Sequence, residues 1–199
     1  YYHWLHDTVL RLHLVMDHLP DDVRFIVPDA LPATLAETLA VLGIADRTVA
    51  FGPEDSWEVD RLWFAPPTVH SGHDRRDSEE WLRDRFFAHY GVARGNGRRI
   101  FVSRRDAGRR RITDEEAVEH LLLGHGFETF VVGSSPLRRQ VETFASAEIV
   151  VATHGAALTN LMFAPMGTRV IEVVPPSMAH NAFIYWSMAD ELGHEYWYL

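Results

Sequence analysis

The chain contains neither cysteine nor lysine. Without cysteine it can form no disulfide framework, no thiolate metal site and no thiol nucleophile. All nineteen basic residues are arginine, which removes Schiff-base chemistry and the lysine of a phosphate-binding P-loop. We read that bias as a mark of genomic base composition. Positive charge is scarce overall: the net charge is −9 with histidine neutral, which argues against a nucleic acid or an anionic membrane as partner. No apolar run approaches the roughly 20 residues that span a bilayer. No signal-peptide pattern opens the sequence either, so a cytoplasmic or membrane-peripheral location is expected. The sequence starts Tyr-Tyr-His without an initiator methionine and is expected to be an excerpt or a processed form. Nowhere does it read Asp-x-Asp, the carboxylate clamp for a metal-bound diphosphate. Metal-independent chemistry is therefore expected, with no bound metal and no cofactor.

What remains is ordinary globular composition, 47% hydrophobic and 24% charged over 199 residues, enough for one large domain or two small ones. The arginines are uneven, since ten of the nineteen lie between Arg83 and Arg111. A local basic patch in an acidic protein points to a discrete anionic ligand.

Hydrophobic periodicity predicts a helix over residues 2–19, with Leu5, Val9, Leu12, Val15, Met16 and Leu19 on one face and His3, Asp7 and Arg11 on the other. Strands are expected at 24–28, 48–51 and 61–65, a helix at 32–42, and a second helix from Ser78 to Tyr90 whose positive end is favoured by Glu79 and Glu80. The glycine-rich stretch 91–97 reads as a linker. Beyond it, strands at 99–103, 127–132, 149–152, 169–174 and 196–199 alternate with helices at 113–123, 136–146, 158–163 and 180–192. Thr113 and Glu116 form a capping box for the first of these helices. Such alternation implies a doubly wound parallel sheet in the second half; the first half follows the pattern more loosely.

Residues 147–176 carry the strongest local signal. A buried strand ends at Thr153 and His154. Gly155, Ala156 and Ala157 then remove side-chain bulk where a helix must start, and a second strand follows. The free N–H groups at such a helix N-terminus suit a phosphate. A tight turn is also what any βαβ unit requires, but His154, Thr159 and Asn160 place polar groups where a ligand crevice is expected. At the end of the 99–103 strand, Ser103 delivers Arg104 and its neighbours into the loop above the sheet, and arginine offers a planar fork matched to phosphate oxygens. Glu172, inside an apolar run, needs either an arginine partner or ligand hydroxyls such as those of a ribose.

His-x-x-His-Asp occurs twice, at 3–7 and at 70–74. On a helix His3 and Asp7 share a face, as a carboxylate-oriented general base or as part of a zinc site. In a loop the same spacing fixes little.

Read together, these pieces resemble glycosyltransferase family 61 in its bacterial, capsular-polysaccharide type. Tyr1 to Asp7 with Arg11 are similar to the family's opening pattern. Ser103, Arg104, Arg110, Asp114 and Glu115 are similar to its second motif, and His154 to Asn160 with Pro165 to Glu172 to its third. Asn181 and Leu192 to Tyr196 match the closing positions. Ala157 and Asp114 depart from the glycine and asparagine frequent in the family.

The resemblance implies an α/β fold with two Rossmann-like lobes of GT-B type, parallel sheets with flanking helices. The lobes fall at residues 1–92, on the acceptor side and expected to lack an N-terminal part, and at 98–199, binding the nucleotide sugar. It implies inverting transfer of a hexose or pentose from a nucleoside diphosphate sugar to a glycan or other hydroxyl acceptor. Ser103, Arg104, Arg110, His154, Gly155, Ala156, Thr159, Asn160 and Glu172 would hold the donor. His3, oriented by Asp7, or Asp7 itself, would be the base. A non-catalytic nucleotide-binding or scaffold module of the same fold is the alternative.

Overall fold

A computed structural model describes residues 1–66, 75–95, 97–181 and 183–199. In the second half, strands β3 (Arg98–Ser103), β4 (Phe127–Val131), β5 (Ala147–Thr153), β6 (Arg169–Val173) and β7 (Glu195–Tyr198) form one sheet in the order β4-β3-β5-β6-β7. Every pairing in it is parallel. The central strands are apolar throughout because both faces are covered: Ile100, Phe101 and Val102 of β3 and Val150, Val151 and Ala152 of β5 are all buried. The flanking helices are α3 (Glu115–Gly124), α4 (Leu137–Phe144) and α5 (Phe183–Leu192). Helix α4 shows why it packs, with Leu137, Gln140, Val141 and Phe144 buried at i, i+3, i+4 and i+7. The sheet order is that of a doubly wound fold whose crevice lies between its first and third strands, here β3 and β5.

The first half contributes a smaller parallel pair, β1 (Phe25–Pro28) and β2 (Thr48–Phe51), with helices α1 (Ala33–Val41) and α2 (Arg76–Tyr90). Helix α2 stops at Gly91, whose φ of 66° is left-handed and costs a glycine little. One buried cluster runs through both halves, joining Leu5, Val9, Leu82 and Phe86 to Leu158, Phe163 and Met188. At its centre the Phe86 and Phe163 rings meet edge to face with centroids 5.0 Å apart.

Several local expectations are corrected. Residues 2–18 are not one α-helix but a chain of short turns: α-helical at Tyr2–Trp4, π at Leu5–Val9, and 3-10 at Leu10–Leu14 and Met16–His18. The change of pitch brings His6 to the buried side with Leu5 and Val9, while Leu12, Val15 and Met16 stay half exposed. The stretch 61–65 forms no strand: three consecutive apolar residues, Leu62, Trp63 and Phe64, are all exposed and cannot share one face of a period-2 element. Helix α2 begins at Arg76 rather than Ser78. Its first turn is organised by Arg75 clasping Asp77 at 3.0 and 2.6 Å while Asp77 accepts from the Ser78 N–H at 2.9 Å.

Helix α3 is capped by Asp114, accepting from Ala117 N–H at 3.4 Å, and not by Thr113; this register frees Glu115 to reach back to β3. The expected 158–163 helix is a 3-10 helix, Ala156–Phe163. The last helix begins at Phe183, after a 3-10 turn over Pro176–Asn181.

Because Phe163 is fully buried against Phe86, Phe163→Ala is expected to cost about 3–5 kcal/mol, the usual penalty for emptying an aromatic core site. Chemical denaturation of the two proteins measures it, and a loss below about 1 kcal/mol would show that the halves do not depend on this contact.

Candidate functional site

The chain leaves β3 toward β4 and leaves β5 toward β6, so the loops after these neighbouring strands diverge and open a crevice above the sheet. Arg104 follows β3 directly and His154 follows β5 directly. A Cβ built on Gly155 would lie 2.1 Å from Arg104 Nη1 and 3.1 Å from its Cζ. The guanidinium thus rests on the Gly155 backbone, in space that a side chain there would take. On its other side Arg104 donates from Nε and Nη2 to the Arg109 carbonyl, at 3.4 and 3.3 Å.

Ser103 and Glu115 brace this arginine from below. Glu115 accepts from the Ser103 hydroxyl and, at 3.2 Å, from the Arg104 N–H. Ser103, 2% exposed, therefore shapes the loop as well as bordering the cavity.

A cavity of about 480 Å³ opens on this point, lined by Tyr1, Ser103, Arg104, Asp106, Arg110, Gln140, Ala156 and Ala157 among others. Burial holds the Arg104 guanidinium below its ordinary pKa, and the nearby Arg110 charge pushes it the same way. Two cations held together in a partly dry place attract an anion that would relieve both effects. Arg110 is the single non-glycine residue at left-handed φ among the described residues, at 56°. Such local strain, of order 1 kcal/mol or more, gathers at ligand sites. The first N–H groups of the 3-10 helix that starts at Ala156 have no partner within the helix and border the same cavity.

His154 and Glu172 lie beneath the crevice. Glu172 is fully buried; its Oε1 lies 2.5 Å from His154 Nδ1, and Oε2 accepts from the Tyr196 hydroxyl. The sequence offered an arginine partner or a ribose for Glu172; in the structure its two oxygens face His154 and Tyr196. Thr159 and Asn160 are likewise fully buried. The Asn160 amide donates to Gln140 Oε1 at 3.2 Å and to the Ala157 carbonyl at 3.1 Å, and its oxygen accepts from Tyr1 Oη at 3.3 Å. Asn160 thereby ties the start of the chain to the crevice.

The pairing expected of His3 and Asp7 is present: Nδ1 and Oδ2 lie 2.6 Å apart, with side chains 80% and 36% exposed. Neither residue lines the 480 Å³ cavity. Nor do they line a larger groove of about 970 Å³, bordered by β1, β2 and the exposed side chains Trp57, Leu62, Trp63 and Phe64. That groove shares no lining residue with the 480 Å³ cavity and contains neither Arg104 nor Arg110, so its size does not make it the site. The second His-x-x-His-Asp motif, with His70 and His73, lies outside the described residues.

Sequence reasoning missed three side chains. Tyr185, 4% exposed, stands edge-on to His154 at 5.2 Å and to Tyr2 at 5.8 Å. Burial and then the Glu172 charge raise its phenol pKa, so it stays protonated. Tyr196, raised by burial and its bond to Glu172, was visible only as a closing family position. His6, stacked on Tyr2 at 4.5 Å and 3.8 Å from the equally buried Glu79, was signalled by its spacing from Tyr2, Leu5 and Val9.

The crevice thus lies at the switch point of a parallel sheet, with small residues and arginines around it. The model of the family Glycosyltransferase 61 matches residues 1–171. The chain belongs to that family. A β-1,2-xylosyltransferase of rice, XYXT1 (Oryza sativa subsp. japonica), is 38% identical over 82 residues, which are 39% of this chain and 17% of that protein. The chain thus spans about a sixth of that relative's length in the matched region. No helix among the described residues is long and apolar enough to cross a membrane.

Gly155→Ala is expected to leave thermal stability nearly unchanged, because the group it displaces is the tip of a flexible side chain, yet to move Arg104 off the crevice floor. Titration with inorganic pyrophosphate should show affinity at least fivefold weaker than wild type. Equal affinity would mean that the position of Arg104 over Gly155 does not serve anion binding.

Proposed function

We propose that the chain carries the donor site, and part of the acceptor side, of an inverting glycosyltransferase. It takes a sugar from a nucleoside diphosphate donor and passes it to a hydroxyl of a glycan or similar acceptor, in a two-lobed GT-B arrangement. The observation that carries this reading is the Arg104 guanidinium seated on Gly155 at the β3/β5 crevice, with Arg110 lining the same cavity. Arg104 and Arg110 neutralise the charge that develops on the departing diphosphate, and the N–H groups after Gly155 add fixed dipoles. Arginine charge takes the part that a divalent ion plays elsewhere. The likeness to a rice xylosyltransferase favours a pentose as the transferred sugar.

His3, oriented by Asp7 at 2.6 Å, serves as the base for the acceptor hydroxyl, attacking from the face opposite the diphosphate. Its exposure, with neither residue lining either cavity, supports a second reading, a nucleotide-binding module in which this pair is only a solvated helix end.

Two experiments separate these. Thermal shifts with a panel of nucleoside diphosphates should show stabilisation by at least one, roughly 2.7 kcal/mol at 100 times its dissociation constant. Arg104→Lys should abolish most of that shift, since a point charge cannot reproduce two-pronged phosphate bonding; flat curves for the wild type across the panel would defeat the donor-site reading. In initial-rate assays with the full-length enzyme, His3→Ala should lower turnover by roughly 10²- to 10⁴-fold with donor affinity unchanged. Retained turnover would leave the non-catalytic role for this pair.

A further inference from the structure

One turn at the end of β3 reaches both neighbouring strands. The Ala107 N–H donates to the Arg104 carbonyl at 2.9 Å, and the chain reverses between them. Arg104 leaves this turn toward Gly155, which follows β5, while Asp106 leaves it toward Gly133, which follows β4. A Cβ built on Gly133 would collide with Asp106 Oδ2 and lie 3.2 Å from its Cγ. The carboxylate thus rests on the backbone beyond β4 as the guanidinium rests on the backbone beyond β5, and both line the 480 Å³ cavity. Most other polar side chains on that wall are committed to the protein: Tyr1 donates to Asn160, Ser103 to Glu115, and Gln140 bonds Asn160 and two carbonyls. Asp106 is exposed and makes no hydrogen bond or ion pair among the described residues.

A carboxylate inside an anion site works against that site, because its like charge weakens any diphosphate held by Arg104 and Arg110. What it can take from a ligand is hydrogen, since an ionised carboxylate accepts and cannot donate. We propose that Asp106 is a specificity-determining residue that accepts from a vicinal pair of sugar hydroxyls adjoining the diphosphate while Arg104 and Arg110 hold the phosphates; this rests on the donor-site reading above. A nucleoside diphosphate sugar carries such hydroxyls on both sides of its diphosphate, on the ribose and on the transferred sugar. The winding of the sheet favours the ribose, whose hydroxyls a carboxylate takes beside the pyrophosphate in dinucleotide-binding folds. Here the carboxylate comes from the loop after β3 and lies against the end of β4. Asp106 stands between the two arginines of the second motif and is not itself a matched position. Its charge weakens bare pyrophosphate and strengthens only a ligand that brings hydroxyls, so it selects among anions that the arginines alone would hold alike.

The decisive variant is Asp106→Asn, which keeps the shape and removes the charge; because the side chain is exposed and bonds nothing else in the described chain, thermal stability should not change. Wild type and variant are titrated calorimetrically with inorganic pyrophosphate, with adenosine, cytidine, guanosine and uridine diphosphates, and with the 2′-deoxy forms of these four. Pyrophosphate should bind the variant about threefold more tightly, since a like charge is gone. The preferred ribonucleoside diphosphate should bind about tenfold more weakly, and its advantage over the 2′-deoxy form should shrink to within about twofold. A ribo-to-deoxy ratio equal in the two proteins, with the variant losing the affinity gained from nucleoside diphosphate to nucleoside diphosphate pentose, would support the proposal with the transferred sugar as the source of the hydroxyls. Gly133→Ala, which pushes the carboxylate from its seat without removing its charge, should lose the same discrimination while pyrophosphate affinity stays within about twofold of wild type. If Asp106→Asn shifts every ligand, nucleoside diphosphate pentose included, by one common factor or not at all, the carboxylate is a background charge and the proposal is overturned. A wild type that binds neither pyrophosphate nor any nucleoside diphosphate would sink the donor-site reading, and this inference with it.

Discussion

The packing of one guanidinium onto one glycine organises the site. Arg104 lies so close to Gly155 that any β-carbon there would collide with it, and this contact joins the loop after β3 to the turn after β5 across the crevice. Around it the remaining features fall into place. Glu115 and Ser103 fix the arginine's backbone. Ala156 and Ala157 keep the cavity floor low, and Asp114 caps α3 in the register that brings Glu115 within reach. A larger residue at 155 or a different cap at 114 would change the same geometry from two directions.

Beneath that layer the protein buries polar groups in matched sets. His154, Glu172 and Tyr196 satisfy one another along β5, β6 and β7. Asn160, Gln140 and Tyr1 do so between the 3-10 helix, α4 and the chain start. An unpaired polar atom in these places would cost on the order of 1–3 kcal/mol, so each network specifies one arrangement of the elements it joins. The Asn160 network also makes the first residue of the chain part of the crevice wall, which links the opening motif to the third one in space.

The second half was largely legible in the sequence. Buried parallel strands read as continuous apolar runs, and the alternation of β and α left one sheet class. Arg104, Gly155 and Ala156 were singled out from a strand end and a small-residue turn, and Arg110 only from the family resemblance. Misread features share a cause, which is that tertiary contact overrode local pattern. Thr113 and Asp114 are both good caps, and only the reach of Glu115 chooses between them. The 61–65 stretch has strand-forming residues but no neighbour among the described strands, and the opening run changes pitch to bury His6 beside Tyr2. Glu172 was singled out correctly as an anomalous charge. Its partners, a histidine 18 residues earlier and a tyrosine 24 later, are set by strand order, which spacing along the chain does not display.

The central claim is that an anion-bearing nucleotide sits over the β3/β5 crevice. The most direct measurement is a crystal structure of the protein with a nucleoside diphosphate bound. The account predicts the diphosphate between Arg104 and Arg110, above the backbone of Gly155 and Ala156. A nucleotide found in the apolar groove beside β1 and β2, or with its phosphates remote from Arg104, would contradict it.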